Sequence, residues 1–328
     1  MRPAIEAALQ AFIDRHLPAC YPELRTMVTY QMGWEGEGAG PDAQGKRIRP
    51  LLVLLSAQAA NGDWQQALPA AVAVELLHNF SLIHDDIQDN SLLRRNRPTV
   101  WVKWGAPQAI NTGDVFFTLA FLSIQDLISI RSAQEVLLAS RILQDTCLSL
   151  MQGQYLDISY ESRPVISMDA YWPMISGKTS ALLACCCELG ALIAGAGEDR
   201  RAAFRNYGNA LGLAFQVLDD WLGIWGDASV TGKSAASDLV SGKKTLPVLY
   251  GLAQAGAFAR RWVQGGIAPE EVPQLADMLQ EEGAYAFTLE TAERLTQQAM
   301  DALGQAGVGP DDKQTIQELT DLLLRRKN

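Results

Sequence analysis

Three features of the sequence predict an all-α fold. Apolar residues recur at three- and four-residue spacing through nearly every long segment. No stretch alternates apolar and polar residues as a half-buried strand would. Several segments are apolar on more than one face, which places them at the middle of a large helical bundle, ringed by other helices.

The elements follow in order. "AIEAALQAFIDRHL" opens the chain as an amphipathic helix. "RPLLVLLSAQAA" has Pro50 in its first turn, where a missing N–H costs nothing. A long, largely apolar run without glycine extends from Gln66 to about Asp89. "APQAINTGDVFFTLAFLSIQDLI", "AQEVLLASRILQDTCLSLMQGQYLDI", "SALLACCCELGALIAGA" and "DRRAAFRNYGNALGLAFQVLDDWLGI" are the next helices. "EEVPQLADMLQEEG", "YAFTLETAERLTQQAMDALGQ" and "DDKQTIQELTDLLLRR" complete the set. Breaks fall at "GWEGEGAGPDAQG", "NSLLRRNRPT", "ESRPVISMD" and "GDASVTGKSAASDLVSGKK". None has the composition of an interdomain linker, and no internal repeat is present, so residues 1–328 are expected to form a single domain. "GEGAG" reads as a mobile loop.

Composition excludes several classes. Net charge is −10, with 37 acidic against 27 basic residues, which argues against a general nucleic-acid binder. The five cysteines show no CxxC spacing, and three of them (Cys185, Cys186, Cys187) are consecutive. They read as small buried hydrophobes in a reducing compartment, not as a disulfide or zinc framework. The N-terminus lacks a signal-peptide core, and no charge-free stretch is long enough to span a bilayer. These features predict a cytoplasmic protein without an integral membrane segment.

Against this background "SLIHDDIQDN" stands out. Asp85 and Asp89 are four residues apart on a helix, so their carboxylates share a face and repel. "FQVLDDWLGIWGD" places Asp219 and Asp220 near the end of a second apolar helix, with Asp227 eight residues after Asp219. A helix C-terminus already carries partial negative charge, so carboxylates there are doubly disfavoured. A hard divalent cation with oxygen coordination resolves the conflict, and magnesium completes its octahedron with ligand phosphates.

The basic residues cluster in loops beside these helices. "GKRIRP" offers Lys46, Arg47 and Arg49; "RRNRPT" offers Arg94, Arg95 and Arg97. "SGKTS" supplies Lys178 and Thr179 at a helix start, "TGKSAASD" Lys233, and "SGKKT" Lys243 and Lys244. Acidic clusters and scattered cations make sense together if both grip a metal-bridged polyphosphate. P-loop chemistry does not fit: "TGKS" and "SGKTS" would need glycine where Asp227 and Trp172 stand, and neither follows a strand. His16 reads as a surface residue and His84 as a packing residue.

Taken together these motifs resemble the trans-isoprenyl diphosphate synthase (polyprenyl synthetase) family, whose members include farnesyl and geranylgeranyl diphosphate synthases. "LIHDDIQDNSLLRRNRPTVW" resembles its first aspartate-rich motif with the arginine pair, and "FQVLDDWLGIWGD" its second. "GKRIRP", "GKT" and "GKKTLP" also match in order, across about residues 40 to 250. The resemblance implies mostly antiparallel helices around a deep central cavity and a homodimer. It also implies magnesium-dependent condensation of isopentenyl diphosphate with an allylic diphosphate.

The resemblance further implies roles, position by position. Asp85, Asp89 and Asp219 are expected to ligate metal, with Asp86 and Asp220 in support and Lys178 at the reacting diphosphate. Lys46, Arg49, His78 and Arg95 are expected to contact isopentenyl diphosphate. Arg94, Lys178, Thr179, Gln216, Lys233 and Lys243 are expected at the allylic diphosphate. One departure is evident: the usual second motif has a third acid four residues after the first, and here that position is Gly223, with Asp227 a turn later as the candidate substitute. In the family an aromatic residue five positions before the first aspartate often limits the product to about C20. Here that residue is Phe80, next to the small Ser81, with Leu77 one turn earlier. C20 is the expected product and C15 the runner-up. The alternatives are a class I terpene cyclase, which needs only one diphosphate site, and a non-catalytic subunit of a heteromeric synthase, which would lack an aspartate motif.

Overall fold

Helices form where apolar spacing predicts them in the computed structural model, which describes residues 1–18, 20–226 and 237–324. The chain partitions into two compact units, Met1–Gln144 with Cys186–Gly197, and Asp145–Cys185 with Glu198–Asn328.

The first unit contains α1 (Arg2–His16), α2 (Pro22–Gln31), α3 (Ile48–Ala59), α4 (Leu68–Gln88) and α5 (Ala106–Gln125). α1 buries Ile5, Leu9, Phe12 and Ile13, one stripe at helical spacing. α4 buries every residue from Ala70 to Leu77, as a helix surrounded on all sides must. It packs along α5 and against α3 and α1.

α4 ends in a Schellman motif. Asn90 turns to φ 51°, the Ser91 N–H bonds the Asp86 carbonyl at 2.9 Å, and the Asn90 N–H bonds Ile87 at 3.3 Å. The chain then makes a small hairpin, β1 (Leu93–Arg94) with β2 (Arg97–Pro98), the one strand pairing among the described residues. Its two-residue loop, Arg95-Asn96, has φ of 52° and 60°, the left-handed pair that a tight hairpin turn demands.

The glycine-rich loop, expected to be mobile, is instead tied down. Buried Arg97 donates to the carbonyls of Tyr30 (2.9 Å), Glu35 (2.6 Å) and Glu37 (2.9 Å), and its guanidinium lies 3.9 Å from the Tyr30 ring centroid.

The division between units falls inside α6 (Ala133–Glu161) and α8 (Ala181–Ile193). The second unit also holds α7 (Met168–Ile175), α9 (Glu198–Trp225), α10 (Leu246–Ala253), α11 (Val272–Glu281), α12 (Ala284–Gln305) and α13 (Pro310–Leu324). α9 packs along α12, burying Phe204, Tyr207, Leu211, Ala214, Val217 and Trp221 at three- and four-residue intervals.

"SGKTS" does not begin a helix as expected. Ser176–Ser180 forms a π-helical turn after α7, a wider coil that recurs at functional sites. Pro173 lies inside α7, and a proline there removes one helical hydrogen bond.

Two helical stretches, Trp64–Gln88 and Met168–Ile193, are long and apolar enough by composition to cross a membrane, although neither is free of charged residues. In each, most of the apolar window is buried inside the protein, as in a core helix.

Candidate active site

In the first unit the motif "DDIQD" occupies the last turn of α4 and its cap. Asp85 is half-buried and Asp89 exposed, one turn apart. Asp86 is buried and belongs to Arg94: Nε donates to both carboxylate oxygens at 2.9 Å, and Nη2 lies 2.8 Å from Oδ1. Burial pushes the Asp86 carboxyl above its ordinary range while Arg94 pulls it back.

The hairpin delivers three arginines to three targets. Arg94 takes Asp86 and Arg97 the glycine-rich loop. Arg95 donates to the Ala43 carbonyl at 2.7 Å, beside the "GKRIRP" segment. The approach needs Gly45, because a Cβ there would stand 2.7 Å from the Arg95 guanidinium carbon.

Within "GKRIRP" the three cations separate. Lys46 is exposed. Arg47, one of the three loop cations offered by the sequence, is buried, at 3% exposure. It bonds Glu6 (2.7 Å), Glu75 (2.7 Å) and the Met32 carbonyl (3.0 Å). Asn79 extends this network, donating to the Glu75 carbonyl at 2.9 Å. Arg47 therefore anchors the loop, and it does so in the left-handed conformation, φ 51°, that caps α3.

Arg49 reaches His78, Nη1 to Nε2 at 3.2 Å, and its Nε is buried without a hydrogen-bond partner. Burial, followed by Arg49, Arg95, Arg94 and Arg47, depresses the His78 pKa far below its usual value. His78 is thus neutral, with Nε2 accepting from Arg49. Arg49 and Arg95 are likewise lowered, burial leading in both. Cations that repel one another in this way create a positive potential that would favour a bound anion.

In the second unit the pattern of α4 repeats on α9. Asp219 is half-buried, while Asp220 is buried at 2% exposure. Asp220 accepts from the Tyr171 hydroxyl (2.7 Å), Gln216 Nε2 (2.9 Å) and the Leu246 N–H (3.0 Å). Burial still lifts its carboxyl to about 6. Gln216 in turn accepts from Thr179 Oγ1 at 2.8 Å, so one network joins α7, the π-turn, α9 and α10.

Lys178 pairs with Asp157 of α6. The π-turn can lie this close to α6 because two glycines face each other: a Cβ on Gly153 would stand 2.1 Å from the Lys178 nitrogen. Desolvation works against the Lys243 ammonium, but Asp220, Asp238, Asp157 and Asp219 outweigh it and raise the pKa. Lys233 and Asp227 lie outside the described residues.

No group of three or more His, Cys, Asp or Glu side chains gathers for a metal among the described residues. The donors on offer are carboxylate oxygens, with no accompanying thiolate or imidazole set. That suits a hard cation whose remaining positions are filled by water and phosphate oxygens, and not a structural zinc.

The aromatic candidate Phe80 is half-buried, its ring 4.6 Å from that of His84 and 5.0 Å from that of Phe117. Ser81 is half-buried, and Leu77 is fully buried. Sequence reasoning missed Asp157, Tyr171, Glu75 and Asn79. They carry no motif, and only proximity in the folded chain identifies them.

A family model described as polyprenyl synthetase matches residues 40–279. The chain belongs to the polyprenyl synthetase family. It is a prenyltransferase, a trans-prenyl diphosphate synthase. A (2E,6E)-farnesyl diphosphate synthase of Mycobacterium tuberculosis is 38% identical over 316 residues, 93% of this chain and 87% of that one. A geranylgeranyl diphosphate synthase of the same organism is 37% identical over 322 residues, 96% of this chain and 90% of that one. Among solved structures, a polyprenyl synthetase from Streptomyces coelicolor superposes with a TM-score of 0.88 at 37% identity, covering 98% and 97% of the two chains. A geranylgeranyl pyrophosphate synthase from Corynebacterium glutamicum, complexed with isoprenyl diphosphate and magnesium, has a TM-score of 0.84 at 26% identity and covers 98% of each chain. The likeness to these synthases extends well beyond the motifs, over nearly the whole chain.

Proposed function

We propose that this synthase condenses isopentenyl diphosphate with an allylic diphosphate, depends on magnesium, and makes mainly the C20 product, with C15 as runner-up. The observation that carries the reading is the presence of two separate cationic environments. Arg49, His78 and Arg95, with Lys46 nearby, form one. Lys178, Thr179, Gln216 and Lys243 beside Asp219 form the other. A terpene cyclase needs one diphosphate site, and a non-catalytic subunit needs neither aspartate motif.

Magnesium held at Asp85 and Asp89 in the first unit, and at Asp219 in the second, would neutralise charge on a departing diphosphate. Lys178 and Lys243 add fixed positive charge where that negative charge develops. The C–O bond of the allylic substrate breaks, and the double bond of isopentenyl diphosphate supplies the electron pair of the new C–C bond. The resulting tertiary cation loses a proton to the released diphosphate, so no enzymic nucleophile is required. Neutral His78, its Nε2 engaged by Arg49, leaves Nδ1–H as a donor toward isopentenyl diphosphate. Similarity to a synthase solved with magnesium and isoprenyl diphosphate supports the metal and the substrate. Near-equal identity to C15 and C20 synthases leaves product length to rest on Phe80.

We also propose a cytoplasmic homodimer. Leu148, Met151, Tyr155 and Ile158 lie at three- and four-residue spacing on α6 and are 41–69% exposed, an apolar stripe that a second copy would cover. Four of the five cysteines are buried and all are free thiols, as suits a reducing compartment.

The test is turnover of the purified chain with isopentenyl diphosphate and each allylic primer in turn, with and without magnesium, followed by mass spectrometry of the products. A single main C20 species that needs magnesium is expected. No consumption of isopentenyl diphosphate with any primer would overturn the proposal.

A further inference from the structure

The first aspartate motif carries acids at both ends of one helical turn, Asp85 and Asp89. The second has Asp219, but four residues later comes Gly223, which has no side chain. That position is not empty space. A Cβ placed on Gly223 would stand 2.1 Å from Oδ2 and 2.9 Å from Cγ of Asp238. The Asp238 carboxylate therefore occupies the volume into which a side chain at 223 would project, one turn along α9 from Asp219. A carboxylate reaching from α9 at 223 and the Asp238 carboxylate cannot share that volume. The chain carries one of the two.

We infer that Asp238 completes the second acidic motif, supplying from outside α9 the oxygen donor that position 223 lacks. Asp238 and Asp219 also act on the same ammonium, that of Lys243, so their carboxylates serve one locale. The glycine has a reason of its own. Even alanine at 223 would drive a methyl group into the Asp238 carboxylate. The absence of a side chain at 223 leaves that volume to the Asp238 carboxylate, which any larger residue there would have to displace. Asp238 then acts toward the cation directly or through a bound water, as outer-sphere carboxylates commonly do.

This inference rests on the proposed metal dependence, so the test reads metal binding as well as turnover. Binding of Mn2+, an EPR-visible probe, would be measured in the presence of inorganic pyrophosphate, with the full chain as wild type, Asp238→Asn, Asp238→Ala and the double variant Gly223→Asp/Asp238→Ala. Unfolding midpoints would be recorded for each. Asp238→Asn keeps size and polarity but removes charge, and it should weaken Mn2+ binding about 10–100-fold with the midpoint unchanged. Asp238→Ala should do the same. The double variant returns a carboxylate to the same place from α9 and should recover much of the loss. Wild-type Mn2+ affinity in Asp238→Asn would overturn the inference, and so would a double variant no better than Asp238→Ala. If the wild-type chain binds no Mn2+ with pyrophosphate, the proposed metal dependence falls before any variant is compared, and this inference falls with it.

Discussion

Arg94 grips Asp86 through both carboxylate oxygens, with its Nε 2.9 Å from each. On α9, three donors hold Asp220 in the same way. Neighbouring residues on a helix point about 100° apart, so an Asp-Asp pair cannot turn both carboxylates to one face. In each motif the first aspartate is half-buried and the second is locked into the scaffold.

The two halves of a pair should therefore fail differently. Asp85→Ala is expected to lose about 10²–10³ in turnover or more, as for removal of one preorganised electrostatic stabiliser. Its stability should hold or rise, because the repulsion with Asp89 is relieved. Asp86→Ala is expected to lose about 1–3 kcal/mol, since Arg94 is left without its acceptor. Urea unfolding beside steady-state kinetics separates the two. Near-wild-type turnover in Asp85→Ala would remove the metal argument.

Much of this was legible in the sequence. Helix periods placed α4 and α9, because their apolar spacing has no competing pattern. Both aspartate motifs and the cationic loops were legible as clusters. What the sequence hid was the sorting within clusters. Arg47 and Arg49 are two residues apart and chemically identical, yet Arg47 is buried on Glu6 and Glu75 while Arg49 lies at His78. Which one turns inward depends on acids 41 residues before and 28 after Arg47. The glycine-rich loop looked mobile because its anchor, Arg97, lies about sixty residues away in sequence. The π-turn at Lys178 depends on Gly153 in another helix, which no local pattern announces.

That sorting makes a second contrast testable. Arg47→Ala leaves Glu75 buried without its cation and should cost about 3–5 kcal/mol. Lys46→Ala and Arg49→Ala should leave stability nearly unchanged and raise the KM for isopentenyl diphosphate more than that for the allylic substrate. Equal rises in both constants would break the division of cations into two sites.

Asp220 makes stability depend on pH in a direction opposite to most carboxylates. Its folded value, about 6, lies above its ordinary 3.8. The unfolded chain therefore releases this proton first. The contribution of the group is full below about pH 4, falls as pH rises to about 6, and is level above that, a total change of about 3 kcal/mol. Asp220→Asn cannot titrate and should lack this fall. Urea unfolding from pH 4 to 7, with chelator present, should show the Asn variant gaining on wild type by that order. Parallel profiles would contradict the assignment.

Product length should answer to Phe80. The residue is five positions before Asp85, roughly 140° around α4 from it, whereas Ser81 is roughly 40° away. Phe80 accordingly turns toward α5, where its ring meets Phe117 at 5.0 Å, and Phe117 meets Phe121 at the same distance. A prenyl chain that reached Phe80 would meet a braced ring, because Phe117 and His84 hold it in place. Phe80→Ala should lengthen the product by at least one five-carbon unit while the first condensation keeps a rate within about threefold of wild type. Phe117→Ala removes only the brace and should lengthen it less. Leu77→Ala is a control: the side chain is fully buried, so the variant should lose about 2–5 kcal/mol of stability and keep the wild-type product. Mass spectrometry of the dephosphorylated products reads all three. An unchanged distribution from Phe80→Ala, or a longer product from Leu77→Ala, would move the floor down α4 toward Leu77 and Val74.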